Sequence, residues 1–530
     1  MPSRRTFLAA AAGAVAWLRS PPALRLPWRR EFDLVLRRGL VYSGLPAPPV
    51  ESDIAIQGGR IAAVGRDLDP GVEEIDLGGV AVAPGFVDIH SHGDGTLVDD
   101  PLVESVIRQG VTTIVVGQDG SSREIGRFLA LVDDLQPACN VATMVGLGSV
   151  RAAVIGDVDR APTPEELDRM VLLVEQGLAE GACGVSSGLE YVPGGFAGHE
   201  ELVALANPAG VRGLCYATHL RNEDDRLLPA IDEAVAVARD AGCGLQISHL
   251  KAQGPRNWGK MQDALDRIAA ARALGVDAWF DLYPYTAYQT GLSSLFPLWS
   301  REGGTTAFLA RLADPSTAAW IRRETLEKVE LIGGWNNVLI SAVAEPADRV
   351  IQGRRLGELA AERSADPYDE AVTLLRRSRG SVTMVGFAMS EANVDLGLAH
   401  PLAMVCSDGG AFAVAGPARR GHPHPRSFGA FPRVLGRYVR ERRALSLEDA
   451  IHKMTARPAL RARLADRGRL APGAAADLVA FDPATVSDQA TYENPFQYPD
   501  GILLVVVNGL IVLQDGQRTA ARPGRALRPT

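Results

Sequence analysis

Pro84-Gly85-Phe86-Val87-Asp88-Ile89-His90-Ser91-His92 is the stretch on which the reading of this chain turns. An apolar run that ends in His-x-His is a buried strand, and alternation of side chains sends both imidazoles out on one side. Apolar runs of the same kind recur at residues 112–116, 141–145, 183–186, 214–217, 245–248, 278–282 and 403–406. Helical patterns such as residues 165–179 and 228–241 lie between them. Strand–helix units with continuously apolar strands predict an α/β fold, a (β/α)8 TIM barrel with an all-parallel core. The span from Tyr285 to Ala403 exceeds one crossover, so residues 292–343 are expected to form an insertion over the barrel that acts as a lid.

Outside this middle the rhythm changes. Residues 32–36, 54–56, 61–64, 476–482 and 502–509 read as strands, with Gly58-Gly59 as a hairpin turn. Two strand-rich ends predict a small β-sandwich domain shared between residues 31–83 and 466–520, flanking a barrel domain at 84–465. Residues 1–30 are different again. Arg4-Arg5-Thr6-Phe7-Leu8 leads into a short apolar run, with Ala14-Val15-Ala16 as a candidate cleavage site. That pattern resembles a twin-arginine export signal and is too short for a stable membrane span. It predicts a periplasmic or secreted protein without a stable membrane anchor.

Composition narrows the function classes. The 530 residues carry 55 Lys+Arg against 63 Asp+Glu, a net charge of −8, and are 46% hydrophobic, which excludes disorder and collagen-like structure. No basic block offers a footprint for nucleic acid. The five cysteines all fall in or beside predicted strands, so they are expected to be buried free thiols.

In a barrel, chemistry sits at the carboxyl ends of the strands. His90 and His92 end the first, His219 the fifth, His249 the sixth and Asp408 the eighth. Only nine histidines exist in the chain, so four of them at three strand ends is not the scatter of core residues. Four imidazoles and a carboxylate converging on one mouth predict a metal site.

The strand-one stretch resembles the corresponding motif of the amidohydrolase superfamily. Further stretches narrow the resemblance to its D-aminoacylase (N-acyl-D-amino-acid deacylase) family. These are Gly188-Leu189-Glu190-Tyr191-Val192-Pro193-Gly194, Thr218-His219-Leu220-Arg221-Asn222-Glu223, Ile247-Ser248-His249-Leu250-Lys251, Tyr283-Pro284-Tyr285, Ser407-Asp408-Gly409 and His424-Pro425-Arg426. The resemblance implies a hydrolase that uses one or two zinc ions to cleave N-acyl-D-amino acids to a carboxylate and a free D-amino acid. It implies Asp408 as the proton shuttle. Lys251 and Arg426 are implied as the clamp for the substrate's free carboxylate, with Tyr191 and Tyr283 as hydroxyl donors.

This chain departs from the family pattern at one ligand. Where the family usually carries Asn-Cys-Gly, with a ligating cysteine, the sequence reads Gln118-Asp119-Gly120. Asp119 can replace that cysteine, and Glu190 at the end of strand four is a second candidate; either or both can touch metal. Residues 286–297, expected to line the side-chain pocket, contain no arginine or lysine, which favours neutral or apolar side chains. A dipeptidase or cyclic-amide hydrolase of the same superfamily is the alternative activity, and a silent binding protein on the same scaffold is the alternative class.

Overall fold

The computed structural model describes residues 32–530, so the twin-arginine segment lies outside the described residues. No helix among the described residues is long and apolar enough to cross a membrane. Strands β1 (Phe32–Val41), β2 (Val50–Gln57), β3 (Arg60–Gly65), β4 (Gly71–Asp76) and β5 (Ala81–Pro84) come first. Next come β6 (Phe86–Asp88), β7 (Val111–Val116), β8 (Asn140–Thr143) and its short continuation β9 (Val145–Gly146). They are followed by β10 (Gly184–Gly188), β11 (Cys215–His219), β12 (Gly244–Ile247) and β13 (Ala278–Leu282). After these come β14 (Tyr288–Gly291), β15 (Val338–Val343), β16 (Val382–Gly386) and β17 (Ala403–Val405). The last four are β18 (Leu478–Phe481), β19 (Ile502–Val507), β20 (Leu510–Gln514) and β21 (Gln517–Arg518).

The two ends of the chain meet in one nine-stranded sheet, ordered β21-β20-β19-β18-β5-β1-β2-β3, with β4 also on β1. The antiparallel pairing of β18 with β5 joins them, setting Leu478 opposite Pro84 and Phe481 opposite Ala81. Alternate residues of these strands, among them Leu34, Leu36, Ile54, Ile56, Leu478 and Ala480, form a core of their own. Gly85 then carries the chain out of this sheet into β6 and the His-x-His end.

The strands of the middle are parallel. β6, β7 and β8 form one sheet, and β9, β10, β11, β12, β13 and β17 form another. Backbone hydrogen bonds stitch both seams: Cys183 N–H to Thr143 O and Asp408 N–H to His90 O, each at 2.9 Å. β7 and β11 are buried along their whole length, which is why their sequences show no alternation of apolar and charged residues. The crossover helices follow the patterns read from the sequence. Pro164–Glu180 starts on a Thr163 capping box with Glu166 and ends at Gly181 in the left-handed conformation. Leu227–Ala241 turns Ile231, Ala234 and Val237 toward the sheet. All five cysteines are buried and free.

Between β13 and β17 the chain makes an excursion containing its own antiparallel sheet, ordered β14-β16-β15. The excursion therefore continues past residue 343, the end expected from the sequence, to Gly386. Residues 382–386 look like any core strand, but their hydrogen bonds go to β14 and β15 rather than to the parallel set.

Candidate metal centre and substrate pocket

Two buried aspartates assemble the strand ends. Asp88 accepts hydrogen bonds from the Ser407 N–H at 2.9 Å and from the Ser407 hydroxyl, clasping the end of β17 against β6. Burial pushes the Asp88 carboxyl up to about 7 against the pull of those bonds. Asp281, at the end of β13, accepts from the His249 N–H at 2.8 Å and from the Gln246 amide at 2.7 Å. Its Oδ1 also lies 3.7 Å from His90 Nδ1, so one carboxylate sets two imidazoles. Neither aspartate stands out in the sequence as a functional residue, although Asp88 lies in the opening motif and Asp281 closes an apolar strand.

The proposed ligands meet around Asp119. Its Oδ1 lies 3.5 Å from His90 Nε2 and 3.4 Å from His249 Nε2. Its Oδ2 lies 3.5 Å from His92 Nε2 and 3.9 Å from His219 Nδ1. Asp408 Oδ1 completes the first group, 3.2 Å from His92 Nε2 and 3.7 Å from His90 Nε2. Two overlapping donor sets result: His90, His92, Asp119 and Asp408 form one, and Asp119, His219 and His249 form the other, each within 4.8 Å. Asp119 belongs to both. The backbone supports this placement at a cost, because Asp119, His249 and Asp408 all take positive φ, at 52°, 35° and 49°. Glycine makes the approach possible: a Cβ on Gly188 would sit 2.1 Å from the Asp119 carbonyl oxygen.

The donors fit a bound cation. Both ring nitrogens of His90 and Oδ1 of Asp119 are buried without a hydrogen-bond partner, a costly arrangement unless something positive satisfies them. Burial works against charge on His219 and His249, yet the surrounding carboxylates raise the basicity of both. A site that draws protons in this way also draws metal, which displaces them.

Glu190 occupies another position. It lies 3.3 Å from His219 Nε2, on the far side of the ring from Asp119, and forms a separate group with His219 and Glu223. Burial opposes its ionisation, but Lys328 and His219 bring Glu190 down to about 2. This separation yields a first prediction. Asp119→Asn is expected to lower bound zinc, measured by elemental analysis after dialysis, while Glu190→Gln leaves it nearly unchanged. The reverse pattern would make Glu190 the ligand in place of Asp119.

Every residue singled out from the sequence, His90 apart, lines one cavity of about 690 Å³. Its cations are not free, contrary to the simplest reading of a carboxylate clamp. Lys251 Nζ is buried, 2.6 Å from Glu223 Oε1 and 2.8 Å from His249 Nδ1. Glu223 also accepts from Gln253, so the sequence reading missed a central carboxylate four residues beyond His219. Arg426 Nη1 lies 2.7 Å from Asp408 Oδ2, and its guanidinium stacks 4.6 Å above the Tyr283 ring. Tyr191 hydrogen-bonds Thr290 Oγ1 at 3.2 Å through its hydroxyl.

The stretch read from the sequence is only part of the pocket wall. Residues 286–297 supply Gln289, Thr290 and Ser294 to the cavity, but Lys328 reaches it from the helix Pro315–Leu331. Lys328 Nζ is 2.5 Å from Asp224 Oδ2 and 3.5 Å from Glu190 Oε1, tying the excursion to the strand ends. A lysine so far along the chain carries no local signal of that role.

Comparison with known proteins agrees with this geometry. The sequence model of the amidohydrolase family matches residues 417–513. An N-acyl-D-glutamate deacylase of Alcaligenes xylosoxydans xylosoxydans is 37% identical, over 94% of this chain and 97% of its own length. The crystal structure of an N-acyl-D-glutamate deacylase from Bordetella bronchiseptica, complexed with zinc and a phosphonate mimic of the tetrahedral intermediate, superposes with a TM-score of 0.81. It is 34% identical and covers 94% of this chain and 99% of that one. A D-aminoacylase solved to define the role of its binuclear metal centre gives a TM-score of 0.80 at 34% identity, over 94% of this chain and 100% of its own. Full-length identity at this level, over a chain whose strand ends bring the family's motifs together, means that this protein belongs to the D-aminoacylase (N-acyl-D-amino-acid deacylase) family of amidohydrolases.

Proposed function

We propose that the protein is a zinc-dependent hydrolase that cleaves the amide bond of N-acyl-D-amino acids to a carboxylate and a free D-amino acid. The observation that carries this reading is Asp119 standing in both donor sets, beside an Asp408 held by Arg426. The ring of parallel strands, bonded at both seams, supports a (β/α)8 barrel at 84–465. The nine-stranded sheet and its separate core support a β-sandwich domain shared by 31–83 and 466–520.

In this reading His90, His92, Asp119 and Asp408 would hold one zinc, and Asp119, His219 and His249 would hold a second. Bound zinc lowers the pKa of water toward neutrality and polarises an amide carbonyl. Asp408 takes the proton of the attacking water at a carboxylate oxygen and delivers it to the leaving nitrogen. Burial disfavours its charge, but Arg426 and His249 hold its carboxyl well below the usual range, so it stands ionised before the reaction. Lys251 and Arg426, stacked about the Tyr283 ring, face the substrate's α-carboxylate, and the Glu223 and Asp408 contacts fix where those cations stand. Tyr191 and Glu190 line the same cavity. A screen of N-acetyl D- and L-amino acids tests the activity: hydrolysis of D-forms that tracks zinc content is expected, and hydrolysis of dipeptides or cyclic amides alone would overturn it.

Export by the twin-arginine route to the periplasm or beyond completes the proposal, resting on Arg4-Arg5 and the apolar run after them. Changing both arginines to lysine is expected to leave the protein in the cytoplasm on fractionation. Unaltered export would remove the assignment.

A further inference from the structure

The Arg426 guanidinium lies on the face of Tyr283, with Nη1 2.7 Å from Asp408 Oδ2. Yet neither Nη1 nor Nε makes an aligned hydrogen bond among the described residues. An ion pair and a ring face attract the group without fixing its direction as hydrogen bonds would. Where the guanidinium points therefore depends on how the base of the side chain is held. Arg426 opens the helix Arg426–Arg433, so its N–H has no carbonyl partner within that helix.

His424 supplies the partner. Its Nδ1 accepts from the Arg426 N–H at 3.0 Å, and Nε2 of the same ring donates to the Ala287 carbonyl oxygen at 3.0 Å. These two contacts fix the tautomer, because an amide N–H can only donate and a carbonyl can only accept. Burial, with the Arg426 charge beside it, holds the imidazole well below its ordinary pKa, so the ring stays neutral. His424 is fully buried and stands behind the cavity wall that Arg426 lines. Its own N–H donates to Gln289 Oε1 at 3.0 Å, and Gln289 Nε2 donates to Ser341 Oγ at 3.1 Å, which ties it to β14 and β15. The rings of Tyr285 and Tyr492 meet it nearly at right angles, with centroids 5.2 Å and 5.1 Å away. Tyr492 comes from the segment between β18 and β19, and its carbonyl oxygen accepts from His422 Nε2 at 2.6 Å. Capping a helix needs one acceptor. This ring instead joins the barrel, the excursion and the C-terminal segment two residues before the clamp arginine.

We propose that His424, backed by Tyr492, is a positioning residue that holds Arg426 where its guanidinium meets the substrate's α-carboxylate, and so sets the preference for an N-acyl-D-amino acid over its amide. This rests on the deacylase reading, in which Arg426 binds that carboxylate, and deepens it.

The test measures kcat and KM for an N-acetyl-D-amino acid and for its amide on the zinc-loaded enzyme, with Arg426→Met as the reference. His424→Gln keeps a donor near the Nε2 position and no acceptor at Nδ1, whereas His424→Asn keeps an acceptor near Nδ1. His424→Gln is expected to lower the acid-to-amide ratio of kcat/KM at least about tenfold, chiefly through KM for the acid, since an ångström of misplacement costs about 10²-fold. His424→Asn should stay within about threefold of the unmutated ratio, because its oxygen can still accept from the N–H two residues on. A helix cap and nothing more would lower the melting temperature and slow acid and amide together. Equal losses on acid and amide, or equal ratios in the two variants, overturn the positioning role. If His424→Gln does not fold, Tyr492→Leu decides: losing the ring that backs His424 should lower the same ratio at least about threefold, and an unchanged ratio overturns the proposal. An unmutated enzyme without a preference that Arg426→Met removes would bring down the clamp, and the positioning role with it. A preference lost in Arg426→Met but kept in His424→Gln overturns the positioning role alone. If neither compound is cleaved, the deacylase reading falls, and calorimetric binding of the same pair supplies the ratio.

Discussion

Asp408→Asn is expected to lower kcat by about 10²–10⁴-fold, the range for loss of a general acid–base group, while most of the zinc stays bound. The separation of the two effects follows from the geometry. Asp408 is a member of one donor set only, and the set of Asp119, His219 and His249 is complete without it. Asparagine keeps the shape and one oxygen but cannot take a proton from water at that atom. Activity and elemental zinc measured on the same preparation check the prediction. Retained activity at full zinc would show that another group moves the proton, with Glu223 the next carboxylate in the pocket.

The second large effect concerns the α-carboxylate clamp. Arg426→Met is expected to reduce kcat/KM for an N-acetyl-D-amino acid by roughly 30-fold to several thousand-fold, equivalent to about 2–5 kcal/mol of lost charge pairing. The corresponding amide derivative, which has no α-carboxylate, should lose much less. It should still lose something, because Arg426 also contacts Asp408, a link invisible in the sequence. The diagnostic quantity is therefore the ratio of acid to amide, measured for both proteins. A ratio unchanged by the substitution would make Arg426 a support for Asp408 alone. An unmutated enzyme that prefers the amide would remove the clamp altogether.

The proposed zinc ligands and the proposed clamp differ in how far the sequence reveals them. A ligand set needs only local information: an apolar strand followed at once by His or Asp places that side chain at a carboxyl end, whatever the neighbours do. His90, His92, His219, His249 and Asp408 are all legible in this way, and the structure brings them together. Asp119 and Glu190 are harder to separate, because both are carboxylates in loops just past a strand and both have the chemistry of a ligand. What divides them is which ring nitrogen of His219 each one meets, Nδ1 for Asp119 and Nε2 for Glu190.

The sequence by itself determined the periodicities: buried strands, crossover helices, strand-rich ends, and chemistry-bearing residues at strand ends, because each follows from side-chain alternation over a few residues. The family resemblance followed from the same short stretches. Only the tertiary structure decided how charges are shared. It paired Lys251 with Glu223 and Arg426 with Asp408, and brought Lys328 in from a helix of the excursion. The physical reason is range. Strand and helix patterns are written within one element, whereas an ion pair depends on which distant elements pack together and on how much water they exclude.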